Sequence, residues 1–156
     1  RVLELLSAEA TEAEIRSLVH YLAPDWDSAA QEKTVAEITA LVTQERWLWQ
    51  HPRQAEVAIA GTVMVEGAAV PVSGQVDALI HTPEAVVIVD YKTGSHVPAR
   101  AEEVPEPYLL QLNTYRALVA QLYPDRPIRC AILWTAVPRL MWLDELLAGF
   151  MGRTVR

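Results

Sequence analysis

A run of four branched apolar residues, Val86-Val87-Ile88-Val89, ends on an acid, Asp90, and continues as Tyr91-Lys92-Thr93 before Gly94. Bounded by Pro83 and Gly94, it reads as a central β-strand covered on both faces, which commits the chain to a sheet flanked by helices. Side chains alternate along a strand, so Asp90 and Lys92 share a face and Tyr91 points to the other. Val70 to Ile80 reads as the antiparallel neighbour, with His81-Thr82-Pro83-Glu84 as the turn. Closing that hairpin brings Asp77, of Gly74-Gln75-Val76-Asp77, near Asp90. Two ionised carboxylates that close repel one another, and a partly buried pair is costly unless a cation lies between them. Oxygen ligands of this kind suit Mg²⁺ or Mn²⁺, which keep waters and take further ligands from a substrate phosphate.

Around this hairpin the punctuation is regular. Thr11-x-x-Glu14 is a capping box ahead of Ile15, Leu18, Val19 and Leu22, giving a helix that ends at Ala23-Pro24. Asp27 caps a second helix through Val35, Ile38, Leu41 and Val42, and Trp47-Leu48-Trp49 forms a short element stopped by Pro52. Glu56 to Val65 pairs with the strand after Glu66-Gly67, making a three-strand meander. Pro98, Pro105 and Pro107 punctuate an acidic connection expected to lack regular structure. Tyr108, Leu112, Tyr115, Val119 and Leu122 then repeat at helical spacing up to Pro124, with Pro107 in the first turn. Ile128 to Thr135 returns as a strand, Leu140 to Leu143 pairs beside it, and Asp144 caps a last short helix.

The 156 residues suit one domain, since about 100 to 200 make a single core. No stretch approaches the roughly 20 apolar residues that span a bilayer, and nothing at the start resembles a signal peptide. A start at Arg1, without Met, suggests a piece of a longer chain. Cys130 is the only cysteine, which excludes a disulfide and a four-cysteine iron–sulfur cluster and favours the cytoplasm. The net charge of −7 has the wrong sign for a freestanding nucleic-acid binder. The acid is concentrated in residues 1–60, with ten Asp/Glu against five Lys/Arg, whereas residues 90–129 hold five of each. A larger body or a partner would have to supply much of the grip on phosphate. No glycine-rich phosphate loop is present, so nucleotide hydrolysis lies outside these residues.

The order Gly74-x-x-Asp77, strand-Asp90-Tyr91-Lys92-Thr93, then Gln111-Leu112-x-x-Tyr115 on a helix resembles the RecB-type branch of the PD-(D/E)xK nucleases. The likeness extends through Val57 to Thr62, Pro71 to Asp77, Ile132 to Thr135 and Pro138-Arg139-Leu140, and is strongest toward the C-terminal nuclease domain of bacterial AddA helicase–nuclease subunits. It covers roughly residues 54 to 143. The resemblance implies an α/β fold with a restriction-endonuclease-like core, a mixed sheet whose three-strand antiparallel meander is flanked by helices. It divides the chain into a helical part, 1–52, and a nuclease core, 53–156. It further implies an exonuclease-type, Mg²⁺-dependent deoxyribonuclease module of an ATP-dependent helicase–nuclease, acting on double-strand DNA ends beside an AddB-type partner subunit. Asp77 and Asp90 would hold the metal with the main-chain carbonyl of Tyr91, Lys92 would orient the attacking water, and Gln111 and Tyr115 would lie near the metal or the DNA backbone.

Plainer readings stand beside these. Asp90 with Lys92 could be a surface ion pair worth at most about 1 kcal/mol. Tyr115 falls on apolar helical spacing and could be a core aromatic; Glu56 could be a solvated strand opener; Trp47 and Trp49 suit packing better than base stacking. The related enzymes usually carry a metal-binding histidine on an N-terminal helix. His20 is the only candidate there, in surroundings that match poorly, and Arg1 to Leu6 looks more like the segment just after that histidine. An inactive nuclease-like module that scaffolds a partner or grips DNA, and a transferase-like or wholly structural α/β domain in which the acids are incidental, are the rival functions.

Overall fold

The helices begin where side chains can satisfy the free N–H groups of a first turn. Residues 2–150 are described by the structure, a computed structural model. After a short helix α1 (Val2–Leu5), Thr11 and Glu14 close the expected capping box on α2 (Glu12–Leu22). Asp27 accepts the Ala30 N–H at 2.7 Å to start α3 (Ser28–Gln44). Arg16 reaches both Glu12 and Glu32, fastening α2 to α3. Trp47–Gln50 forms α4.

Five strands follow: β1 (Arg53–Val65), β2 (Ala68–His81), β3 (Val86–Lys92), β4 (Ile128–Trp134) and β5 (Arg139–Trp142). The sheet runs β1-β2-β3-β4-β5, antiparallel except for the parallel β3–β4 pair. That one parallel step requires a crossover, supplied by helix α5 (Glu106–Leu122). The connection before α5 is less irregular than its prolines suggest, because Ala101–Glu103 makes a single 3₁₀ turn and α5 starts with Pro107 as its second residue. The β1–β2 turn places Glu66 at φ 49° and Gly67 at φ 83°, the pair of left-handed residues that a tight hairpin twisted with its strands demands.

The central strand is covered on both faces, as its unbroken apolar run requires. Val86 and Ile88 join α5 residues such as Leu112 and Val119 in one core, while Val87 and Val89 join Ile15, Val35 and Leu48 of the N-terminal helices in another. Helix α6 (Asp144–Phe150) closes the α5 side through Leu147. Asp144 is not its cap. The residue lies inside the helix, and its carboxylate instead accepts the Cys130 N–H and pairs with Arg129, both at 2.9 Å, because β4 passes directly beneath.

Candidate active site

The sheet splits at Asp77. The β2–β3 ladder runs from His81 opposite Val86 to Ala78 opposite Val89, and continuing that register sets Asp77 against Asp90, where the pairing has stopped. The β1–β2 ladder skips the same step: Ala55 pairs with Ala78 and Val57 with Val76, but Glu56 and Asp77 between them do not pair. Glu56 adopts φ 51°, a left-handed conformation that a residue with a side chain visits at a cost. Across this break β2 changes faces, since Val76 belongs to the α5 core and Ala78 to the opposite one. Asp77 is thereby turned into the fork between β2 and β3, and its Oδ2 accepts the Tyr91 backbone N–H at 2.7 Å. A side-chain oxygen takes the place of the missing ladder acceptor.

Asp90 ends the apolar run and is buried, with 3 % of its surface exposed. Burial raises its carboxyl above the ordinary carboxylate range; Lys92 opposes the shift and the neighbouring Asp77 carboxylate reinforces it. The Lys92 ammonium lies 2.6 Å from Asp90 Oδ2. The two groups form a close, largely buried ion pair. Tyr91 turns to the other face as alternation requires. Its hydroxyl sits near Arg53, which donates to the Leu3 and Glu4 carbonyls at the end of α1, and burial pushes its pKa up.

One face of α5 extends the site. Gln111 accepts from the Lys92 ammonium at 3.0 Å through Oε1 and donates to the Tyr115 hydroxyl at 3.1 Å through Nε2. The two residues are four apart on a helix, which stacks them on one face. Tyr115 is 7 % exposed and belongs to the apolar core while its hydroxyl ends the polar chain, so the core reading and the site reading both describe it. Asp77, Asp90, Lys92, Gln111 and Tyr115 are thus gathered along one line.

His20 is exposed in the last turn of α2 and is not gathered with them. Among the described residues, no group of three His, Cys, Asp or Glu forms a metal cluster, so the protein donors here are the two carboxylates and main-chain carbonyls. They fit a hard cation that keeps much of its water shell, and the buried Asp90 carboxylate set beside that of Asp77 is the strongest mark of that fit. Cys130 is buried beside Asp144 and its thiol is pushed up to about 12, mainly by burial, which removes it as a nucleophile. Trp47 stacks on Trp142 at 5.5 Å and Trp49 donates to the Leu3 carbonyl, so both are packing residues. No described helix is long and apolar enough to cross a membrane.

Tyr108 also joins this cluster, a neighbour that its apolar spacing concealed. The Lys92 ammonium lies 4.2 Å from the centre of its ring. The usable signal was its position three residues before Gln111, on the same helical face.

The family model of the PD-(D/E)XK nuclease superfamily matches residues 1–140. No curated protein matches the chain. Among solved structures, the crystal structure of SSO0001 aligns over 88 % of this chain at 16 % identity with a TM-score of 0.42; this chain spans 64 % of the length of that one, and a likeness at that level carries no argument.

Proposed function

The chain belongs to the PD-(D/E)XK nuclease superfamily, and from that membership and the geometry at the sheet fork we propose that it is a metal-dependent deoxyribonuclease module. The observation that carries this reading is the buried Asp90 carboxylate set beside the Asp77 carboxylate and the Lys92 ammonium. Asp77, Asp90 and the carbonyl of Tyr91 would hold Mg²⁺ or Mn²⁺. A divalent ion there would polarise the scissile phosphate and acidify a bound water. Lys92 orients that water and offsets charge building on the phosphorane, where a fixed cation in a poorly hydrated pocket acts most strongly. Gln111 holds Lys92 in place, and Tyr115 holds Gln111.

The motif order supports a more specific setting, the nuclease module of a cytoplasmic helicase–nuclease of the AddA type that trims double-strand DNA ends for recombinational repair beside an AddB-type subunit. Net charge of −7 agrees with a module that leaves most of the DNA grip to other parts. The test is cleavage of linear DNA with Mg²⁺ or Mn²⁺ by the full-length protein and by Asp90→Ala and Lys92→Ala. We expect both variants to lose at least about a thousandfold in rate, of the order expected on removing a main electrostatic contributor. ATP-driven unwinding, if the protein carries it, should be unchanged. Cleavage retained in both variants would overturn the roles given to these residues, and a silent full-length wild type would leave the rival reading, an inactive nuclease-like scaffold.

A further inference from the structure

The Lys92 ammonium has three neighbours of different kinds: the Asp90 carboxylate at 2.6 Å, the Gln111 amide oxygen at 3.0 Å and the Tyr108 ring at 4.2 Å. The first of these is not dependable. An Asp90 oxygen that turns to a divalent ion gives up electron density to it, and the ion repels a neighbouring ammonium. What remains is Gln111, a neutral acceptor, and the negative face of an aromatic ring, which attracts a cation without being a ligand for the metal.

We propose that the Tyr108 ring is a holding site for the Lys92 ammonium, retaining it over the fork when Asp90 engages a cation, and that Tyr108 is a positioning residue of the reaction. The inference rests on the nuclease reading above. The ring is well placed to do this, because Tyr108 is anchored on α5 one turn before Gln111 and backed by buried Trp134, centroids 6.4 Å apart. Trp134 is the β4 partner of Lys92 in the sheet, so ring and ammonium are positioned by the same pair of strands.

The chain has only two lysines, Lys92 and the exposed Lys33, which gives an NMR test that needs no cleavage. With the lysine ε-methylene carbons labelled, the ring should shift the Lys92 protons upfield of those of Lys33. Mg²⁺ is then added, with its occupancy followed on the Tyr91 amide beside Asp77. We expect the upfield shift to persist at saturation in the wild type and in Tyr108→Phe, and to vanish in Tyr108→Leu. Collapse of the Lys92 signal onto that of Lys33 in the Mg²⁺-saturated wild type would overturn the proposal. In the full-length protein Tyr108→Leu should lower kcat about tenfold, equivalent to about 1.4 kcal/mol of barrier, with KM for DNA unchanged and Tyr108→Phe within twofold of wild type. Tyr108→Met serves as the second ring-less variant should the leucine fold poorly. Equal losses in the phenylalanine and leucine variants, or a loss confined to KM, would also overturn it. If wild type and Lys92→Ala are equally silent on DNA the nuclease reading fails, while the NMR result still decides where the ammonium rests.

Discussion

A methyl group on Gly74 would lie 2.5 Å from Tyr115 Cε1 and 2.9 Å from its hydroxyl, so β2 leaves the space in which that ring sits. Gly74 opens the segment that ends in Asp77, and Tyr115 ends the polar chain that begins at Asp90. The glycine of the sequence motif therefore leaves room for the tyrosine that ends this chain. Gly74→Ala should push the ring and draw Gln111 off Lys92. We expect a stability loss of about 1–3 kcal/mol, the usual cost of overpacking, together with a fall in kcat. Gly74→Ala combined with Tyr115→Leu should recover stability but not kcat, measured by denaturant melts and DNA cleavage.

Asp77 has two separable duties. Its carboxylate accepts the part-buried Tyr91 N–H and also supplies charge to the fork. Asp77→Asn keeps an acceptor and loses the charge, whereas Asp77→Ala loses both. The asparagine variant should fold with near wild-type stability and fail to cleave. The alanine variant should be inactive and also less stable by about 1–3 kcal/mol, the penalty for a buried donor left without a partner. Equal stability of the two would show that the Tyr91 N–H finds another acceptor.

Asp90 makes stability depend on pH in an uncommon direction. Its folded pKa lies above the ordinary 3.8, chiefly through burial, so the folded protein holds that proton more tightly than the unfolded chain. Stability from this group is complete below about 3.8 and is lost as pH rises through the raised folded value. Asp90→Asn has no such loss. At pH 7 without metal it should melt above wild type by about 2–4 °C, the shift that about 1 kcal/mol produces in a domain of this size, and the gap should close in acid. Mg²⁺ should raise the wild-type melting temperature and leave that of the variant unmoved.

Asp144 fastens α6 to β4 through the Cys130 N–H and Arg129. Asp144→Ala orphans the buried Cys130 N–H and should cost about 1–3 kcal/mol in chemical denaturation. Cleavage by the folded variant should equal that of wild type, because none of the residues that line the fork touches this pair.

Much of the architecture is written in local pattern. The capping box at Thr11, the cap at Asp27, the Glu66-Gly67 turn and the apolar run before Asp90 each act over a few residues, so helix starts and strand order can be read along the chain. Asp90, Lys92 and Tyr91 are separable for the same reason, since alternation alone decides which face each takes. Where side chains have further tasks, pattern misleads. Asp144 has the residue type and place of a cap, yet β4 lies close enough to claim its carboxylate.

The candidate residues Asp77, Asp90, Lys92, Gln111 and Tyr115 can be picked out along the chain, and the structure brings them together. Their seating is not. The left-handed turn of Glu56 and the change of face at Asp77 depend on two strands breaking register with a third, and no residue preference of Glu or Asp announces that. The seat of Tyr115 against Gly74 and of Lys92 over Tyr108 depends on how closely α5 lies on the sheet. These are contacts between segments far apart in the chain, where free energy is set by the packing of many groups at once, so spacing within any one segment leaves them undetermined.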